Sequence, residues 1–228
     1  MSTKIEHFVS GGKTIAAEVF RPAAAGRHPA VLILHGSFGL LPQYRADIVS
    51  FAEALEAKGT VAVLPHYFER TGTTPGIDAT TAIPKHLHDW QATVADALAF
   101  TRAHPAVNAG RLGVIGFSLG GHLALHLAMT PVSGTGLKCV VDFFGPTRAP
   151  RLQGNRSTLP PVLIHHGMDD LLVDIEDSVD LVSELRAAGK VEGVGYRFSK
   201  YPGQGHGFTG PDLKRSRSTT VDFIGAIV

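Results

Sequence analysis

Residues 112–125 read Leu-Gly-Val-Ile-Gly-Phe-Ser-Leu-Gly-Gly-His-Leu-Ala-Leu. An apolar run typical of a buried strand comes first, the motif G-x-S-x-G follows, and a run of small and apolar residues typical of a helix comes last. This order predicts a nucleophile elbow, a tight turn whose glycines let the strand and the helix pass closely and whose serine is exposed. The motif also fits an ordinary turn in which Ser118 caps the helix, but its position between a strand and a helix favours Ser118 as a nucleophile.

Strands and helices alternate on both sides of the elbow. Apolar and β-branched runs predict strands at residues 5–9, 14–20, 30–34, 60–64, 111–117, 137–144, 161–165 and 194–201. Helical spacing predicts helices at residues 42–58, 86–104, 118–129, 175–188 and 212–228. The sequence therefore predicts an α/β fold with a mostly parallel, doubly wound sheet, helices on both faces, and an antiparallel hairpin at the N-terminus. Residues 68–84 and 145–159 are expected to be irregular loops that frame the binding crevice.

Composition and length indicate a single globular domain spanning residues 1–228. Of the 228 residues, 44% are hydrophobic and 18% are charged, which is typical of a chain with an extensive core. The 21 Lys and Arg residues nearly balance the 20 Asp and Glu residues, and no long run of one sign occurs. Nucleic acid is therefore not expected as a partner, and the oligomeric state is left open.

Cysteine usage and the N-terminal segment bear on the compartment. The single cysteine, Cys139, excludes an internal disulfide and fits a reducing environment. The first eight residues contain no apolar signal segment, and no later stretch approaches the ~20 apolar residues that a bilayer requires. We expect a cytoplasmic protein with no membrane partner.

A serine nucleophile needs a base and an acid that orients the base, and enzymes with this elbow supply them in the order Ser, Asp, His. His206 lies between two glycines in a loop after the last predicted strand, which makes it the best-placed base. Asp169 and Asp170 both follow the predicted strand 161–165, where the acid is expected, whereas Asp174 has the position of a helix N-cap.

The oxyanion of the reaction needs two backbone N–H donors. One is expected from Leu119, directly after the nucleophile, and the other from Ser37 or Phe38, in the loop after the predicted strand 30–34. No cofactor is expected. His122 and His126 are spaced to share a helix face, but no carboxylate lies near them in sequence, so no metal site is predicted.

These residues resemble the dienelactone hydrolase family of the α/β-hydrolase superfamily over nearly the whole chain. The run at residues 31–40, the elbow, and the Gly-His-Gly-Phe of residues 205–208 fall in the family's order and spacing. The family pattern G-x-x-D-x-x-V falls on Gly167, Asp170 and Val173, which selects Asp170 as the triad acid. The resemblance implies an α/β-hydrolase fold and hydrolysis of a small ester or lactone.

Two departures from the family pattern affect the expected chemistry. The namesake enzymes have a cysteine nucleophile, where this chain has Ser118, and its Cys139 falls within a predicted buried strand. They also have a glutamate at the position of Gly36. Together the two differences imply a serine esterase mechanism through an acyl-enzyme and a substrate other than dienelactone.

Several aromatic residues adjoin the predicted catalytic loops, and we expect Phe38, Phe117 and Phe208 to line the substrate pocket. Tyr67 and Arg70 follow the strand 60–64 and are candidates for contacts to an anionic substrate; alternatively, Tyr67 packs in the core and Arg70 pairs with a local acid. Two rival functions share these residues, namely a non-catalytic homologue that binds a small ligand and an acyltransferase or perhydrolase.

Overall fold

The computed structural model describes residues 3–130 and 136–228, and its centre is an eight-stranded sheet. The strands are β1 (Thr3–Ser10), β2 (Lys13–Phe20), β3 (His28–Leu34), β4 (Val61–Pro65), β5 (Val107–Phe117), β6 (Leu137–Phe143), β7 (Val162–Gly167) and β8 (Tyr196–Tyr201). Their order across the sheet is β1-β2-β4-β3-β5-β6-β7-β8. The pairs β1–β2 and β2–β4 are antiparallel and the remaining pairs are parallel. The predicted hairpin and mostly parallel sheet are confirmed.

Helices cover both faces of the sheet, as predicted. They are α1 (Pro42–Ala57), α2 (Ile77–Ala103), α3 (Leu119–Met129), α4 (Ile175–Ala187) and α5 (Gly210–Gly225). Because side chains alternate along a strand, Leu32 and Leu34 pack in one core with α2, α3 and α4, while Val31 and Ile33 pack in the other with α1 and α5.

Helix α2 begins nine residues earlier than predicted and contains Pro84. Proline has no N–H for the helical hydrogen bond to the fourth residue before it, so a proline this far inside a helix is unfavourable. In the structure, tertiary contacts hold the first turns in place, since the Gly76 N–H donates to Ser37 O at 2.9 Å and Ala79 is fully buried. The predicted loop at residues 68–84 is therefore partly helical.

The strand order fixes where a ligand can bind. From β3 the chain crosses to β4 on one side and later to β5 on the other side, so the winding direction reverses at β3. In open α/β sheets the crevice at such a switch point, beyond the carboxyl ends of the strands, is the usual binding site. The loop after β3 and the elbow after β5 meet at this crevice.

Cys139 lies in the middle of β6 and is fully buried. Burial raises the pKa of its thiol to about 12. The thiol therefore takes no part in the surface chemistry of the molecule. Within residues 3–130 and 136–228, no helix combines the length and apolar character needed to cross a membrane.

Candidate active site

Ser118 lies in the tight turn between β5 and α3, with φ of 54° and ψ of −119°. Positive φ is rare outside glycine and is a strained backbone conformation typical of a nucleophile elbow. A Cβ at Gly116 would collide with Gly120 O, and one at Gly120 would collide with Leu34 O. The glycines of the motif are thus required by the close approach of strand and helix.

Ser118, His206 and Asp170 form one hydrogen-bonded chain. Ser118 Oγ lies 2.8 Å from His206 Nε2, and His206 Nδ1 lies 2.7 Å from Asp170 Oδ2. With the imidazole proton on Nδ1, His206 donates to the carboxylate and accepts the serine hydroxyl proton. The structure therefore brings together the three residues that the sequence singled out, on the loops after β5, β7 and β8.

The carboxylate of Asp170 is fixed by the loop that carries it. Its Oδ1 accepts the N–H groups of Leu172, at 2.9 Å, and Val173, at 3.0 Å. Burial alone would raise the pKa of Asp170, but hydrogen bonds from His166, His206 and the Val173 N–H hold it well below its ordinary value. Asp170 is therefore a permanent anion at neutral pH. Asp174 caps α4 by accepting the Glu176 N–H, as predicted.

His166 is a buried neighbour of Asp170. Its Nε2 lies 2.9 Å from Val173 O and 3.5 Å from Asp170 Oδ2, while its Nδ1 lies 2.7 Å from Ser178 Oγ. Since a carbonyl oxygen can only accept, Nε2 carries a proton, and it faces the loop that holds Asp170. Its place at the end of β7, four residues before Asp170, is the only sequence signal of this contact.

The backbone N–H groups of Leu119, Ser37 and Phe38, the predicted oxyanion donors, lie on the two loops that meet at this crevice. In the described part of the chain, no acceptor faces the N–H groups of Leu119, Ser37 or Phe38. Leu119 begins α3, where N–H groups have no partner within the helix. Gly36, directly before Ser37, packs closely against Ser118, since a Cβ built on Gly36 would lie 3.1 Å from Ser118 Cβ.

A pocket with a volume of about 100 Å³ opens beside Ser118 and His206. The predicted residues Phe38, Phe117 and Phe208 line it. Sequence reasoning did not identify the other large side chains of the wall, which are Tyr44, Asp47, Ile48, Phe51, Phe143, Phe144 and Leu213. Neither predicted crevice loop, 68–84 or 145–159, contributes to the lining.

The structure places Tyr67 and Arg70 away from this pocket, so their predicted contacts with substrate are wrong. Tyr67 is fully buried, donates its hydroxyl to His35 O at 2.7 Å and stacks on the His35 ring. Arg70 pairs with Asp89 at 3.1 Å and donates to Ser10 Oγ at 3.1 Å. The alternative interpretation, packing for Tyr67 and a local ion pair for Arg70, is the one the structure supports.

A second buried carboxyl group lies beneath the elbow. Asp142, near the end of β6, is fully buried, and its Oδ1 accepts the Gly145 N–H at 3.1 Å. Within the described residues its Oδ2 has no hydrogen-bond partner. Burial raises the pKa of Asp142 to about 7, with Asp177 adding to the increase and His166 opposing it. A Cβ at Gly121 would collide with Oδ1, so this carboxyl packs directly against the first turn of α3.

Other histidines near the crevice are engaged in the core. His35 is stacked on Tyr67, and burial lowers its pKa to about 4. His165 contacts the hydroxyls of Tyr201 and Thr220 at 2.8 and 3.2 Å. His122 Nδ1 lies 2.9 Å from Pro146 O, so this ring is turned toward the backbone. Among the residues that the structure describes, no group of three or more His, Cys, Asp or Glu side chains is arranged to hold a metal ion.

Comparison with known proteins agrees with this fold. The model of the dienelactone hydrolase family matches residues 15–221. A Rhodococcus opacus carboxymethylenebutenolidase is 31% identical over 177 residues, covering 72% of this chain and 64% of that protein. A Bradyrhizobium protein described as a probable 2-oxo-3-(5-oxofuran-2-ylidene)propanoate lactonase is 26% identical and covers 87% of this chain and 81% of its own length.

Among solved structures, the dienelactone hydrolase of Anabaena variabilis superposes with a TM-score of 0.73 at 19% identity, over 100% of this chain and 98% of that one. At this identity the likeness shows the α/β-hydrolase fold. The family match covers most of the chain, so the chain belongs to the dienelactone hydrolase family and is a carboxylic ester hydrolase.

Proposed function

We propose that this chain hydrolyses a small carboxylic ester or lactone through a Ser118-His206-Asp170 triad and an acyl-enzyme intermediate. The observation that supports this most strongly is the hydrogen-bonded chain from Ser118 Oγ through the His206 ring to Asp170, with both links under 3 Å. A nucleophile and a base within this distance, with the base oriented by an acid, are the requirement for acyl transfer from an unactivated hydroxyl.

In the first half-reaction, Ser118 Oγ attacks the ester carbonyl while its proton passes to His206 Nε2. The developing negative charge on the carbonyl oxygen accepts hydrogen bonds from the Leu119 N–H and from that of Ser37 or Phe38. The tetrahedral intermediate collapses, the bond to the leaving alcohol breaks, and His206 returns the proton to that alcohol. For a lactone, the leaving hydroxyl stays attached to the acyl group.

In the second half-reaction, His206 removes a proton from the water that attacks the acyl-enzyme. The bond between Ser118 Oγ and the acyl group then breaks, His206 returns the proton to Ser118 Oγ, and the acid is released. Asp170 stabilises the imidazolium in both halves, which its permanent charge and its two backbone hydrogen bonds allow. The steps need no cofactor. An acyltransferase or perhydrolase would differ only in the acceptor, and a ligand-binding homologue would leave the hydroxyl unused.

The test is turnover of p-nitrophenyl esters of graded acyl length, together with labelling by a fluorophosphonate probe. The wild type should hydrolyse short esters and take the label. Ser118→Ala should lose the label and at least 10³-fold in kcat, by analogy with other triad enzymes. Ser183→Ala, at an exposed serine of α4 outside the site, is the matched control and should retain both.

Absence of both turnover and labelling in the wild type would refute the catalytic proposal and favour the ligand-binding homologue. Equal turnover in Ser118→Ala would show that another group is the nucleophile. Adding an alcohol or hydrogen peroxide as a competing acceptor distinguishes hydrolysis from acyl transfer, because a transferase forms the ester or peracid in preference to the free acid.

A further inference from the structure

The pocket beside the nucleophile is walled by aromatic rings. Seven of its lining residues are aromatic, and several touch one another: the rings of Phe117 and Phe143 stack at 4.7 Å, and that of Phe144 lies 5.6 Å from Phe208. The seven are Phe38, Tyr44, Phe51, Phe117, Phe143, Phe144 and Phe208. Such a wall gains free energy from burying alkyl or aryl groups and provides little solvation for a charge.

The charge carried by the lining is negative. Among its described residues, Asp47 is the carboxylate and none is Lys or Arg. In the described part of the chain, no ion pair or side-chain hydrogen bond engages the Asp47 carboxylate, and Ser50 Oγ donates to the backbone oxygen of Asp47 instead. An incoming anion would therefore meet an uncompensated negative charge at the pocket.

The two arginines within two residues of a lining residue are bound to other acids, and Lys214, next to Leu213, does not line the pocket. Arg45, next to Tyr44, makes two hydrogen bonds to the buried Glu18, at 2.5 and 2.7 Å. Arg215, on the helix that carries Leu213, pairs with Asp212 at 2.9 Å. Arg70, which the sequence suggested for binding an anionic substrate, is held by Asp89 and Ser10.

We propose that this pocket selects esters with an uncharged, apolar acyl group and rejects those with a free carboxylate, and that Asp47 is the residue that repels the anion. The inference rests on the proposed esterase function and names the substrate class of that site. Its physical basis is twofold: an anion must leave water without gaining a cationic partner, and it approaches a carboxylate of the same sign.

The experiment compares mono-p-nitrophenyl glutarate with its methyl ester, which differ in charge and by one methyl group, and the spontaneous hydrolysis of each is subtracted. The wild type should show a kcat/KM at least tenfold higher for the methyl ester. Asp47→Asn should reduce this ratio about three- to tenfold, and Asp47→Lys should reduce it further. Glu53→Gln, an exposed acid on the same helix that does not line the pocket, is the control and should keep the wild-type ratio. Added salt should reduce the preference of the wild type for the methyl ester, since salt screens the interaction between exposed charges.

Equal kcat/KM for the two substrates in the wild type would overturn the inference while leaving the esterase function intact. If Asp47→Asn and Glu53→Gln show the same ratio of kcat/KM for the methyl ester to kcat/KM for the free acid, Asp47 has no role in repelling the anion. Hydrolysis of neither substrate, with no fluorophosphonate labelling, would refute the proposed function and this inference with it.

Discussion

An Asp142→Asn substitution should change how the folding stability depends on pH. The Asp142 carboxyl is fully buried, and burial raises its pKa to about 7, whereas the ordinary value is 3.8. Asparagine has nearly the same shape and keeps an oxygen that can accept the Gly145 N–H, but it cannot ionise. The variant therefore removes the titration and leaves the packing against α3 in place.

The magnitude follows from linkage between protonation and folding. Between about pH 4 and pH 7 the native protein keeps a proton on Asp142 that the unfolded chain releases, so the wild type loses stability as pH rises through this window. One pKa unit corresponds to about 1.4 kcal/mol, so the two units from pH 5 to pH 7 set an upper limit of about 3 kcal/mol. Structural relaxation around the charge reduces this, and we expect about 1–3 kcal/mol.

Urea unfolding of both proteins at pH 5 and pH 8, followed by the fluorescence of the single tryptophan, Trp90, measures the effect. The free energy of unfolding of the variant, minus that of the wild type, should be about 1–3 kcal/mol larger at pH 8 than at pH 5. Glu53→Gln removes an exposed acid and should show no comparable change. A difference between Asp142→Asn and wild type that is the same at both pH values would refute the assignment of a buried, protonated carboxyl at this position.

Two further predictions concern the site itself. Asp170→Asn should lower kcat about 10⁴-fold, by analogy with other triad enzymes, because an amide nitrogen facing His206 Nδ1 favours the tautomer with its proton on Nε2. Ester hydrolysis at saturating substrate measures kcat, and a loss under tenfold would contradict the proposed role of Asp170. Gly36→Ala should lower kcat/KM about tenfold, because its Cβ would lie 3.1 Å from Ser118 Cβ and 3.2 Å from Phe117 O and would displace the loop proposed to supply an oxyanion donor. Unchanged kcat/KM in a folded Gly36→Ala variant would show that this loop can move without cost to the reaction.

Local patterns predicted most of the fold because each of them has one dominant physical cause. Around Ser118 the backbones of strand and helix pass so closely that only glycine fits between them. The G-x-S-x-G pattern between an apolar strand and a small-residue helix therefore predicts this turn. Chain order and position after a strand singled out His206 and left Asp169 and Asp170 as alternatives, and the family pattern selected Asp170. Parallel strands bring their carboxyl ends to one edge of the sheet.

The sequence could not reveal features that depend on contacts between distant segments. The start of α2 before Pro84 depends on a hydrogen bond between Gly76 and Ser37. Asp47 joins the pocket only because α1 packs beside the elbow, and nothing in its neighbourhood in sequence indicates this. The charge of Arg70 and its position after β4 suggested a contact with an anionic substrate, but the fold places its guanidinium beside Gly11 of the β1–β2 turn.

The burial of Cys139 makes the protein a convenient scaffold for site-specific attachment. The chain has no other cysteine, and a thiol with a pKa of about 12 has almost no thiolate at neutral pH to react with a maleimide. A cysteine introduced at Val194, which is 75% exposed, would be the one reactive sulfhydryl. Val194 precedes the amino end of β8, at the edge of the sheet opposite the triad. Immobilisation through that position would leave the crevice facing the solution on every molecule.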